Sequence, residues 1–169
     1  MPDPRRLQEL AHEYFREYIG KIHSAVEPLG DEQVWWRANA ESNSIGNLLL
    51  HLSGNLSQWV LEGLGGQAFE RHRDAEFAAG RDAEAARVPK AEALARLEST
   101  LARVIAVVDD LNPDDLDDRR HIQKYELDGW KALFHVVEHM SYHTGQIVML
   151  SKQLQPSAGL DFYPRHRGE

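Results

Sequence analysis

Cysteine is absent from the 169 residues. The chain therefore holds no disulfide framework, thiolate zinc site, iron–sulfur cluster or cysteine nucleophile. Any resident metal must be bound by nitrogen and oxygen ligands. Basic charge is also in deficit, with 19 Lys+Arg against 27 Asp+Glu and a formal charge of −8. Nucleic-acid binders display a basic stripe that neutralises phosphates, and no such stripe is found. Arg71, Arg73, Arg81 and Arg87 cluster, but Glu70, Asp74, Glu76, Asp82 and Glu84 interleave with them. That mixture reads as a solvated loop, and no nucleic-acid partner is expected. Long apolar runs are missing as well. No stretch approaches the ~20 apolar residues that span a bilayer, so no membrane partner is expected. The charged start, Met1 to Arg6, leads into an amphipathic segment rather than an apolar one. It does not read as a secretory signal, and the expected location is cytoplasmic.

What the chain does contain is helical periodicity. Its length corresponds to roughly one domain, and at that size on the order of 70% of the unfolded surface is buried on folding. Leu7, Leu10, Ala11, Tyr14, Tyr18, Ile22 and Ala25 recur at three and four residues. That spacing predicts a helix over about 4–26, with Asp3 as cap and Pro4 at its first position. A short turn carrying Trp35 and Trp36 is expected over 31–37. Ile45, Leu48, Leu49, Leu52, Leu56, Trp59 and Val60 predict a second long helix over 44–64, stopped by Gly65-Gly66. Residues 65–88 show no periodicity and read as a long loop. Leu94, Leu97, Leu101, Val104, Ile105 and Val108 predict a third helix, opened by Pro89 and broken by Asn112-Pro113. An acidic connector precedes a fourth helix, capped by Asp128 and running to about Leu154. No strand alternation is evident. The expected fold is all-α: one four-helix bundle over 1–155, with a polar tail over 156–169 that carries Tyr163 and Arg165. Trp35, Trp36, Trp59 and Trp130 are expected to fill the core or a homodimer face.

Nine histidines are the other conspicuous content. Three of them, His135, His139 and His143, lie at spacing four on the fourth helix, stacked turn upon turn with offsets of about 40°. Gly129, Leu133, Val136, Met140, Ile147, Leu150 and Leu154 define the apolar stripe of that helix. His143 falls inside the stripe and His139 on its border, roughly 70° from centre, with His135 about 40° further out. His139 and His143 are therefore the better ligand pair, and His135 is a supporting or rim residue. Met140 stands where the base of an H-E-x-x-H protease would be, which removes that chemistry. A third ligand should come from another helix. His51, bordering the stripe of the second helix, is the best candidate, and His12 and His23 on the first helix compete with it. His72, His121 and His166 fall in loop or tail segments and are expected to be solvated. Asn55 and Gln146 lie one turn beyond His51 and His143 and are candidates to orient ligands. Unpaired buried imidazoles cost on the order of 1–3 kcal/mol per unmet group, and one cation could partner several of them.

Two segments carry a resemblance. Ser44-Ile45-Gly46-Asn47-Leu48-Leu49-Leu50-His51-Leu52 resembles the second-helix signature of the DinB-like superfamily. His135-Val136-Val137-Glu138-His139-Met140-Ser141-Tyr142-His143-Thr144-Gly145-Gln146-Ile147 resembles its fourth-helix signature. Arg71-His72-Arg73-Asp74-Ala75-Glu76-Phe77 is also similar to a loop in one uncharacterised branch. The resemblance spans the first helix to about Leu154. It implies a DinB-like bundle with a long loop between helices 2 and 3, holding a divalent cation on His51, His139 and His143. Thr144 departs from the arginine many relatives carry there. The resemblance further implies metal-dependent transferases and isomerases that use low-molecular-weight thiols such as mycothiol, bacillithiol or glutathione.

The expected function is accordingly divalent-metal binding, with activation of a small thiol substrate at a three-histidine site that leaves a coordination position open. Zinc is the expected cation, with nickel and iron as alternatives, because imidazole suits them all. A metal-dependent hydrolase is the rival enzymatic reading. It wants a nearby carboxylate base, and Glu62 is three turns from His51. The remaining rival is a non-catalytic bundle, metal-tied or stress-associated.

Overall fold

The structure, a computed structural model, describes residues 4–81 and 87–162. The Asp3 cap, Asp82, Glu84, Tyr163, Arg165 and His166 lie outside the described residues. Four long helices form the bundle: α1 (Pro4–Val26), α3 (Ile45–Leu56), α5 (Lys90–Asp110) and α6 (Gly129–Leu154). Two short ones, α2 (Asp31–Val34) and α4 (Arg73–Ala78), lie in the connections. The long helices pack as α1 on α6, α6 on α3, α3 on α5 and α5 on α1. Around the ring the order is thus α1, α6, α3, α5. Phe15 and Ile22 of α1, Leu49 and Leu52 of α3, Leu97 and Val104 of α5, and Val136 and Met140 of α6 are fully buried between them. The expected all-α bundle is what folds, because each stripe can be covered only by the others. Among the described residues, no helix is long and apolar enough to cross a membrane.

The helix starts follow from local chemistry. Ser44 Oγ accepts a hydrogen bond from the Asn47 backbone N–H, while the Ser44 backbone N–H donates to Asn47 Oδ1. This satisfies two of the backbone donors that a helix start leaves open. Asp128 caps α6 by accepting from the Lys131 backbone N–H at 2.7 Å. Both boundaries agree with the sequence reading.

Three features differ from it. First, α3 does not continue as an α-helix to residue 64 but widens into a π-helical stretch, Ser57–Glu62. There Gly63 N–H donates to Gln58 O at 3.1 Å and Gly65 N–H to Val60 O at 2.8 Å. Trp59, Val60 and Leu61 are buried in this stretch, continuing the burial of all twelve residues of α3. Second, a hairpin precedes α6: β1 (Arg119–Ile122) pairs antiparallel with β2 (Tyr125–Asp128), with Ile122 opposite Tyr125. Its tip residue Gln123 adopts φ 56, a left-handed backbone that costs a non-glycine residue stability. Third, the aperiodic segment after Gly66 is not structureless, since it contains α4, packed on α3. Asn47 Nδ2 donates to the carbonyls of Glu76 at 2.8 Å and Ala79 at 2.9 Å, and Arg37 Nη2 donates to Ala79 O at 2.9 Å. The tryptophans divide: Trp35 and Trp59 are buried, whereas Trp36 is 41% exposed.

Leu49 is fully buried where α3 meets the bundle centre. Leu49→Ala should cost about 2–5 kcal/mol, read as a lowered urea midpoint at unchanged slope.

Candidate metal centre

Neighbouring helices in the ring bring the histidines together. His51 projects from α3, and His139 and His143 from α6. Each offers one ring nitrogen, and the three nitrogens lie within 4.8 Å of one another. His51 Nε2 is 3.2 Å from His139 Nε2. Two zinc–nitrogen bonds of tetrahedral geometry place their nitrogens roughly 3.3 Å apart, so this pair already has the spacing of a shared cation. The His139 and His143 rings meet edge to face at 4.5 Å between centroids. Neither His12 nor His23 joins the group. His12 Nδ1 faces Asp109 at 3.4 Å, and His23 lies near Glu98.

His51 is buried, and His139 and His143 are half-buried. Burial, reinforced by the neighbouring His143 and His51, holds the His139 imidazole down at about 3. Burial also lowers His143, partly countered by Gln146, and lowers His135. The His139 and His143 rings therefore stay neutral near pH 7, the form that offers a lone pair to a cation. His139 Nδ1 is buried without a hydrogen-bond partner. Three crowded imidazoles of this kind are a donor set that fits a divalent transition metal.

The supporting residues are only partly those expected. Gln146 Oε1 lies 2.6 Å from His143 Nδ1. His135 is not one of the convergent three: its ring packs on Trp59 at 4.1 Å and on His139 at 5.5 Å between centroids. Asn55 is buried on α3 but is not among the hydrogen-bond partners of the cluster. Thr144 is buried and donates to Met140 O at 2.7 Å, so it serves its own helix.

Two residues read as solvated prove to be buried beside His51. Glu76 Oε2 is 3.0 Å from His51 Nδ1. Arg71 grips that carboxylate with two parallel bonds, Nε to Oε1 at 2.8 Å and Nη2 to Oε2 at 2.8 Å. Its third nitrogen, Nη1, donates to Gln58 Oε1 at 3.0 Å, and the same oxygen accepts from Gln123 Nε2 of the hairpin tip at 2.8 Å. Burial would raise the Glu76 carboxyl, but its bonds to Arg71 and His51 outweigh that and hold it below the ordinary carboxylate value. The signal that could have found this pair is the Arg71-to-Phe77 segment itself, whose phenylalanine ring packs on His51 at 4.7 Å between centroids. Its alternating charges masked it.

Residues 5–159 match the profile of a family described as "Protein of unknown function (DUF1572)". A DinB-like protein from Bacillus cereus ATCC 10987 has a similar crystal structure, with a TM-score of 0.65 at 14% identity over 86% of this chain and 91% of that one. A conserved protein from Enterococcus faecalis is similar at a TM-score of 0.64 and 13% identity, over 88% of this chain and 97% of that one. The fold is thus the DinB-like bundle. No curated protein matches the sequence.

The lowered His139 value carries a sign. Between the unfolded value of 6.5 and about 3 in the fold, the unfolded chain binds more protons than the native one. The His139 contribution to the stability of the metal-free protein therefore falls as pH falls through that window. Denaturant unfolding at pH 7 and pH 5 should show the loss, and His139→Leu should flatten it. An unchanged pH slope in that variant would contradict a buried neutral imidazole.

Proposed function

The chain belongs to the family described as DUF1572, and on that premise we propose that it binds a divalent cation, zinc first, on His51, His139 and His143 and activates a low-molecular-weight thiol for transfer to an electrophilic carbon. The supporting observation is the convergence of three ring nitrogens from two helices within 4.8 Å, with no fourth histidine or carboxylate in the group among the described residues. Three protein ligands leave a position free for a substrate, whereas structural zinc sites are closed by four.

A cation held there supplies the Lewis acidity that favours thiolate over thiol. The residues of the chain supply the rest. His139 and His143 remain neutral, and with His51 they present the ring nitrogens. Gln146 orients His143 through Nδ1. Phe77 beside His51 and Trp59 behind His135 put aromatic surface around the cluster, which limits water there. With no cysteine in the sequence, the reacting sulfur must arrive with the substrate.

Hydrolysis is supported less well. A metal-activated water would want a carboxylate base, and the carboxylate beside the cluster, Glu76, lies at His51 Nδ1 rather than at Nε2 and is gripped by Arg71. Both of its oxygens are engaged, by Arg71 and by His51.

Dialysed protein should retain about one zinc per chain by elemental analysis. His51→Ala, His139→Ala and His143→Ala should each lose it, whereas His135→Ala should keep it. Unchanged metal content in the three variants would remove the site. Cobalt-loaded protein titrated with glutathione, bacillithiol and mycothiol should develop a sulfur-to-metal charge-transfer band with at least one of them. If none produces a band, the thiol reading fails and metal binding stands alone.

A further inference from the structure

We infer that Glu76 and Arg71 are positioning residues for the metal centre: together they fix His51 as the tautomer that carries its proton on Nδ1, so that the Nε2 lone pair points at His139 and His143. The inference deepens the metal-binding reading above and rests on it.

The protonation of His51 follows from its neighbours. An ionised carboxylate can only accept hydrogen bonds. A bare Nδ1 would set its lone pair against Glu76 Oε2 at 3.0 Å, a repulsive contact. Arg71 Nη2 also comes within 3.2 Å of Nδ1, but its shorter bond, at 2.8 Å, goes to Glu76 Oε2. That nitrogen has a second N–H, but the shorter contact of Nδ1, 3.0 Å to the Glu76 carboxylate against 3.2 Å to the guanidinium, is attractive only if Nδ1 donates. A neutral imidazole has one N–H, so Nε2 is then the lone pair. A charged acceptor behind a histidine also raises the basicity of its far nitrogen and fixes the plane of its ring.

The surrounding backbone is arranged for this contact. Glu76 sits on α4, whose carbonyls are held by Asn47 of α3. Its carboxylate passes over the bare α-carbon of Gly54, one turn beyond His51 on α3. A Cβ at that position would lie 2.0 Å from Glu76 Oε1 and 3.0 Å from Arg71 Nε. Glycine lowers helix stability by roughly 1 kcal/mol relative to alanine, and the close approach of this carboxylate explains its presence mid-helix. The charged and titratable groups facing His51 thus come from three segments: Arg71 from the connection, Glu76 from α4, and the two neutral histidines from α6.

Two readouts test this. Long-range nitrogen–proton spectra of the metal-free full chain should show His51 protonated on Nδ1, and Glu76→Leu should shift it toward the Nε2–H form. Competition with a chromophoric chelator should show zinc binding weakened about 10- to 100-fold by Glu76→Leu. Gly54→Ala should weaken it comparably by displacing the carboxylate without altering its chemistry. Glu76→Gln, which keeps an acceptor without the charge, should fall between wild type and Glu76→Leu. Asp74→Asn, at an exposed carboxylate on the same short helix, should bind zinc as wild type does. If Glu76→Leu fails to fold, Glu76→Gln and Gly54→Ala carry the same comparison.

An Nε2-protonated His51 in the wild-type protein, or zinc affinities within twofold of wild type across the Glu76 and Gly54 variants, would overturn the inference. A wild-type chain that binds no zinc would overturn the metal reading instead, and the tautomer comparison would still decide the role of Glu76.

Discussion

Desolvating a carboxylate or a guanidinium costs several kcal/mol per ion unless each is matched by close partners, and the connection packed against α3 buries one of each. Glu76 and Arg71 meet that requirement only as a set. The carboxylate takes two bonds from Arg71 and one from His51, and the remaining Arg71 nitrogen needs Gln58. Such a buried pair is weak evidence of stability, because a well-packed apolar substitute often serves as well. What it confers is position. Taking any member away leaves the others unmatched, so the histidine it touches has one orientation rather than several.

The same requirement explains local features that otherwise look unrelated. Asn47 caps its own helix and also holds α4 by two carbonyls. The π-helical turn carries Gln58, and Gln58 Oε1 is shared by Arg71 and the hairpin tip. The left-handed backbone of Gln123 is maintained where its side chain reaches that oxygen, in line with the tendency of backbone strain to collect at sites the surrounding structure over-determines.

Much of the bundle was legible in the sequence because its determinants are local. Ser44 and Asp128 cap within three residues of themselves, and the stripes of α1, α3, α5 and α6 are patterns within single helices. The spacing of His139 and His143 is local too, which is why it could be read directly. His51 was singled out by the edge of its stripe, with the family signature deciding between it and His12 or His23. Glu76 and Arg71 were not legible, because alternating charges over residues 70–76 are what a solvated loop also shows. Their burial is a tertiary fact, set by Asn47 and Gly54 some 20 to 30 positions earlier. The hairpin escaped for another reason: two four-residue strands with one buried apolar side chain each, Ile122 and Leu127, give alternation too short to recognise, and the turn lacks the glycine or asparagine that usually marks one.

The bare α-carbon of Gly54 against Glu76 has a consequence that reaches beyond this chain. A side chain at position 54 and a carboxylate at position 76 would occupy the same space, so the two positions cannot drift independently under selection. In an alignment of related sequences they should covary, glycine travelling with the acidic residue. A relative with alanine or a larger residue at 54 would have to orient its α3 histidine by some other acceptor. That pair of columns would separate chains that build the centre in this way from those that share only the bundle.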